Sequence, residues 1–199
     1  MITLFEIRYR HKEHIMTATL GPVASAGELI DEAALAGLRA RLGHHLITPH
    51  DETYGAARRV WNGMIDPKPA AIARCHGVAD VIDCVRWAVD HDVLLAVRGG
   101  GHNAAGFGTC DGGLVIDLSP VKGIRPDLKR GTARVGGGAT WGDLDRETQV
   151  FGLAVPGGIV SSTGIAGLTL GGGQGWLRRT YGMACDSLLS ADVVTADGR

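Results

Sequence analysis

Three consecutive glycines constrain this chain more than any other feature. They stand in Arg98-Gly99-Gly100-Gly101-His102-Asn103, directly after the apolar run Val93-Leu94-Leu95-Ala96-Val97. Glycine reaches backbone torsions closed to other residues, and a run of it lets N–H groups crowd around an anion such as a pyrophosphate. Arg98 adds a permanent charge that serves either that anion or a local carboxylate. His102 is the odd member, because a phosphate loop needs no imidazole. The stretch reads either as an anion cradle carrying a reactive imidazole or as a tight strand-exit turn with a surface histidine.

Gly99, Gly101 and Ala104 satisfy the G-x-G-x-x-A form of the dinucleotide fingerprint, but their context rules it out. That motif opens a long helix, whereas Phe107 to Gly113 holds three glycines and the next strand, Leu114 to Leu118, is expected at once. A parallel return needs a crossover of about a dozen residues or more, usually helical. No Walker A pattern occurs in the chain.

Glycine accounts for 31 of 199 residues, against a usual share of about 7%. There is no triplet period and apolar strands separate the clusters, so glycine here marks loops that approach something closely. A net charge of -1 offers no bulk attraction to nucleic acid or another polyanion. Cys75, Cys84, Cys110 and Cys185 show no C-x-x-C spacing, which argues against a zinc site or a disulfide framework, so no metal is expected. Scattered reduced thiols fit a cytoplasmic location. Charges and histidines run through the first twenty residues, excluding a signal-peptide core, and no apolar run is long enough for a membrane span. Residues 1–25 are expected to be a poorly structured leader, with Met16 a candidate start.

Ser25 and Glu28 form a capping-box pattern ahead of Leu29, Ile30, Ala34, Leu38 and Leu42, which predicts a helix ending at Gly43. Tyr54, Arg58 and Trp61 suggest a short helix before the breaker Asp66-Pro67-Lys68-Pro69. From Ala71 the pattern is strand (71–75), helix (Val78 to Val89) and strand (93–97), which predicts parallel strands joined by a right-handed crossover. The glycine cradle then leaves the C-terminal end of a parallel strand, where open α/β sheets place ligands.

Thr132 to Val135 reads as a strand, and Thr140 with Asp143 caps a helix carrying Trp141, Leu144 and Val150 as far as Gly152. Gly157-Gly158, Ser161-Ser162-Thr163-Gly164 and Gly171-Gly172-Gly173-Gln174-Gly175 follow as loops rich in N–H donors and small hydroxyls. Each alone is ordinary turn chemistry; together with the first cradle they suit a cofactor too long for one nest. Trp176 to Tyr181 suggests a short helix stopped by Gly182, and Ala191 to Thr195 a strand entering a hairpin turn at Asp197-Gly198. A hairpin without a returning strand suggests a fragment with an unpaired sheet edge.

Taken in order, several segments resemble the PCMH-type FAD-binding domain of berberine bridge enzyme-like flavoproteins, within the wider vanillyl-alcohol oxidase family. They are Val97 to Asn103, Gly113 to Ser119, Gly138 to Leu144, Gly152 to Gly158, Thr163 to Gly173 and Tyr181-Gly182 through Ala196 to Gly198. The resemblance spans about residues 27–199. It implies an α+β fold of two subdomains around FAD, at residues 26–108 and 109–199, the second a larger antiparallel sheet that is incomplete here. It also implies a covalent bond from His102 to the flavin 8α methyl. Arg98, Gly99, Gly100, Gly101, Asn103, Gly157, Gly158, Thr163, Gly164 and Gly167 are the further cofactor contacts, mostly through backbone N–H groups. Many members hold a second flavin bond through a cysteine; that position is Val160, so a single bond is expected, with Cys110 and Cys185 structural.

The activity implied is that of an FAD-dependent oxidoreductase, moving a hydride from a small-molecule C–H bond to FAD and electrons on to oxygen or another acceptor. The family's substrate domain, with the catalytic base, is absent from these residues, so no base is assigned. Two rival expectations stand beside this one: a truncated, inactive flavin-binding fragment, and a flavin-carrying half of a split enzyme.

Overall fold

A computed structural model describes residue 30 and residues 32–199. The capping pair Ser25 and Glu28, with Leu29 and the leader, lies outside the described residues. Helix α1 (Glu32–Leu42) buries Leu35, Leu38 and Leu42 and ends where Gly43 turns to φ 56°. It packs on α3 (Val78–Asp90), whose buried face is Val81, Cys84, Val85, Trp87 and Ala88. The Trp87 indole N–H donates to the Ala34 carbonyl at 3.0 Å, so the ring is buried without stranding its one polar atom.

Both helices cover one face of a four-stranded sheet. Strands β1 (Leu46–Ile47), β2 (Ala71–Arg74), β3 (Leu95–Arg98) and β4 (Leu114–Asp117) lie in the order β1-β2-β4-β3. β1 is antiparallel to β2, while β2 and β3 both run parallel to β4. Period-two alternation divides the strands: Ala71, Ala73, Leu114 and Ile116 face α1 and α3. Ile72, Ala96 and Val115 face a second layer with Tyr54 and Ala57 of α2 (Tyr54–Ala57).

The expected strand-helix-strand unit is present, with one correction. β4 enters between its two strands, so a strand assigned to the second subdomain sits at the centre of the first sheet. The return from β3 to β4 is parallel, yet the connection from Gly99 to Gly113 contains no helix. Gly101, Gly106 and Gly112 all take positive φ there, which breaks helical continuation and lets an irregular loop carry the crossover.

Beyond β4, β5 (Ile124–Asp127) and β6 (Thr132–Val135) form an antiparallel hairpin. α4 (Trp141–Gln149) carries the predicted Thr140/Asp143 capping box, with both reciprocal bonds made. α5 (Ile165–Leu170) and α6 (Arg178–Tyr181) complete the α-helices among the described residues, and a 3-10 turn follows at Ala184–Ser187. Trp141, Leu144 and Ala184 form a small separate core beneath the hairpin. The segment 191–195 is not the expected strand: it joins no ladder among the described residues, although its turn forms, with Gly198 N–H donating to the Thr195 carbonyl at 2.9 Å.

Candidate functional site

The site begins where β3 and β4 end side by side. Arg98 and Asp117 are register partners, both buried. Arg98 Nη2 donates to the Ala57 carbonyl at 2.7 Å and lies 3.2 Å from Asp117 Oδ2, whose carboxylate also accepts from Ser119 N–H at 3.0 Å. The charge of Arg98 is therefore spent on a local carboxylate beneath the cradle, and its second terminal nitrogen, Nη1, is buried without a partner. Removing one member of a buried pair of this kind costs about 3–5 kcal/mol.

Above this pair the glycine loops close on one another. A Cβ at Gly100 would stand 2.3 Å from Gly164 N, and one at Gly164 would stand 2.4 Å from Gly100 N, so the two backbones touch. A Cβ at Gly99 would stand 3.1 Å from the Gly137 carbonyl oxygen. None of the backbone N–H groups from Gly99 to Asn103 finds an acceptor among the described residues, nor does that of Gly164. Such a row of unpaired donors with no acidic side chain among them fits an anionic diphosphate.

His102 stands at the end of the row. Its Nε2 lies 3.0 Å from Ser162 Oγ and its Nδ1 3.3 Å from Thr163 Oγ1. The Trp61 ring stacks on the imidazole with centroids 5.1 Å apart and planes 21° apart, and the Trp61 backbone N–H anchors this segment by donating to the Gly101 carbonyl at 3.1 Å. Partial burial holds the pKa of His102 below the ordinary histidine value, which keeps the ring neutral at neutral pH.

Thus the structure brings together Gly99, Gly100, Gly101, His102, Thr163 and Gly164. The other expected contacts sit differently. Asn103 is exposed and caps its own loop, its side-chain oxygen accepting from Phe107 N–H at 3.1 Å. Gly157 and Gly158 lie against Trp141, where a Cβ on Gly157 would come within 2.2 Å of the indole. Their small size answers to packing inside the chain. Gly167 faces open space.

Cys110 and Cys185 make weak sulfur contacts to Leu114 O and Asp186 Oδ1, and neither touches His102. The sequence alone gives neither Trp61 nor Ser162 a role at His102: Trp61 is expected on a short helix, which in the structure ends at Ala57. Ser162 carried a signal, the hydroxyl run Ser161-Ser162-Thr163, whereas Trp61 carried none.

The residues present therefore suit a long anionic cofactor with a ring system near a neutral histidine, and comparison with known proteins decides which one. The model of the FAD binding domain family matches residues 69–199. The chain belongs to the FAD-binding domain family of berberine bridge enzyme-like flavoproteins. FAD is its cofactor. This domain is 42% identical over 153 residues to (R)-6-hydroxynicotine oxidase of Paenarthrobacter nicotinovorans, covering 77% of the chain and 33% of that relative.

Among solved structures, BBE-like 1 of Physcomitrella patens matches with a TM-score of 0.78 at 32% identity, covering 83% of this chain and 36% of that one. Xylooligosaccharide oxidase of Myceliophthora thermophila, solved with xylobiose, matches with a TM-score of 0.77 at 27% identity, covering 83% and 36%. The FAD-binding domain described here thus spans about a third of the length of these relatives. No helix among the described residues is long and apolar enough to cross a membrane.

Proposed function

We propose that this chain is the cofactor-holding part of an FAD-dependent oxidoreductase, in which FAD bonded to His102 takes a hydride from an alcohol, sugar or amine carbon and passes the electrons to oxygen or another acceptor. The observation that carries the reading is the imidazole of His102, gripped at both ring nitrogens beside a run of unpaired N–H groups. A neutral imidazole keeps the lone pair that a bond to the 8α methyl carbon requires. The N–H groups from Gly99 to Asn103 and that of Gly164 hold the diphosphate, and Thr163 borders the ring edge. Gly157, Gly158 and Gly167 lie outside this cluster and contribute at most through backbone, Gly167 from its open side. Arg98 acts from below, fixing the ends of β3 and β4 through Asp117.

Relatives named for a hydroxynicotine and for a xylooligosaccharide support a small-molecule substrate of amine or sugar class. With valine at position 160 the bond to His102 is the only covalent link. Acid denaturation of the purified chain tests the proposal: flavin absorbance is expected to stay with the polypeptide, and His102→Ala is expected to release it. Colour that leaves the parent chain on denaturation overturns the covalent assignment. Bonded flavin without turnover of any amine, sugar or alcohol favours the rival reading of a flavin-carrying module that needs further residues to act.

A further inference from the structure

Ser162 and Thr163 grip one ring from both sides, and neither hydroxyl has another partner among the described residues. A neutral imidazole carries one N–H and one lone pair, so one hydroxyl accepts and the other donates. The two contacts are unequal. At 3.0 Å the Ser162 contact has the ordinary length of an N–H···O bond, while the Thr163 contact is long at 3.3 Å. Ser162 is exposed, whereas Thr163 is half-buried beside Gly164, whose backbone touches Gly100.

We propose that Ser162 is a positioning residue that accepts the Nε2–H of His102, so fixing the tautomer with its lone pair on Nδ1, and that it is the outlet through which the Nε2 proton reaches water. The inference rests on the proposed bond between His102 and flavin. Thr163 donates to the Nδ1 lone pair and yields that position when the bond forms. In the exchange, Nδ1 replaces one hydrogen on the 8α carbon: an N–C bond forms and a C–H bond breaks. One proton leaves the methyl group and one leaves Nε2 through Ser162 Oγ. Two electrons leave with them, and dissolved dioxygen takes both, giving hydrogen peroxide. The alkylated imidazole ends neutral, with no N–H.

The test uses the full chain in two measurements. In the first, ¹⁵N NMR of the cofactor-free chain, with the His102 signals identified by their absence from His102→Ala, is expected to show the Nε2–H form in the parent and in Thr163→Val. Ser162→Ala is expected to show a mixture of tautomers. In the second, the rate at which added FAD becomes acid-stable is expected to fall about tenfold in Ser162→Ala, the weight of one hydrogen bond. It is expected to return in Ser162→Thr.

A parent ring protonated on Nδ1, or a Ser162→Ala chain with parental tautomer and rate, overturns the proposal. If the parent takes up no covalent flavin, the proposed function fails and the proton outlet with it. The tautomer assignment is still decided by the spectrum alone.

Discussion

The protonation state of His102 sets when its ring can act. Partial burial penalises the charged imidazole and lowers its pKa in the folded chain. Protons therefore bind the unfolded chain more readily. This group's contribution to stability is complete above the unfolded value near 6.5 and is lost as the pH falls towards the lower folded value. The same titration removes the lone pair. Covalent flavin attachment is expected to be level at and above neutral pH and to fall in acid, with a midpoint below that of free histidine. Timed quenches of FAD-treated chain across a pH series measure it. A midpoint above the free value would mean that a charged partner, and not burial, governs the ring.

At the scale of elements, the junction between the loops after β3 and before α5 decides whether the site exists. Its glycines differ in what they tolerate. Gly100→Ala would drive a methyl group into the Gly164 backbone at 2.3 Å, where no flexible side chain can give way. A loss of about 1–3 kcal/mol is expected, as for other overpacked sites. Gly167 sits inside α5 with nothing within 4 Å, so Gly167→Ala is expected to gain about 0.5–1 kcal/mol from helix propensity. Urea unfolding of the cofactor-free chain compares the two, and equal effects would refute the distinction.

Much of this element-scale picture is legible in the sequence. The β2-α3-β3 pattern, the Thr140/Asp143 box and β6 follow from periodicity and capping, which are local physics. β5 was hidden because Ile124-Arg125-Pro126-Asp127 reads as a turn, yet an edge hairpin strand tolerates proline. α5 is six residues between glycines, too short for its period to show. The place of β4 between β2 and β3, the choice of Asp117 by Arg98 and the stack of Trp61 on His102 all join residues distant in sequence. Residues 191–195 have a strand's composition, but a strand also needs a partner, which no sequence pattern supplies.

For the whole molecule, stability is unevenly shared. The first sheet lies between two apolar layers, with Ile72, Leu114, Val115 and Ile116 entirely buried. The region after β4 is built on a much smaller apolar cluster, centred on Trp141, Leu144 and Ala184. It also exposes Val150, Phe151, Ile159, Leu170 and Trp176, and an open groove of about 1130 Å³ runs between the β5-β6 hairpin, α4 and α5. A region with so few buried contacts opens at lower free energy than the first sheet does. Amide hydrogens of β5, β6 and α4 are therefore expected to exchange well before those of β2, β3 and β4.

In the proposed site FAD would engage N–H groups from both regions, and a ligand that binds only the closed arrangement stabilises it by mass action, by about 2.7 kcal/mol at one hundred times its dissociation constant. Saturating FAD is thus expected to slow exchange in α4 and α5 about a hundredfold while barely changing β2. Hydrogen exchange followed by mass spectrometry resolves these segments. His102→Ala separates binding from bonding: because the cradle donors are backbone, the variant is expected to keep the protection while FAD is present and to lose it on dialysis. Protection confined to the first sheet would mean that the cofactor rests on the β3 loop alone, and that the contact between Gly100 and Gly164 serves packing only.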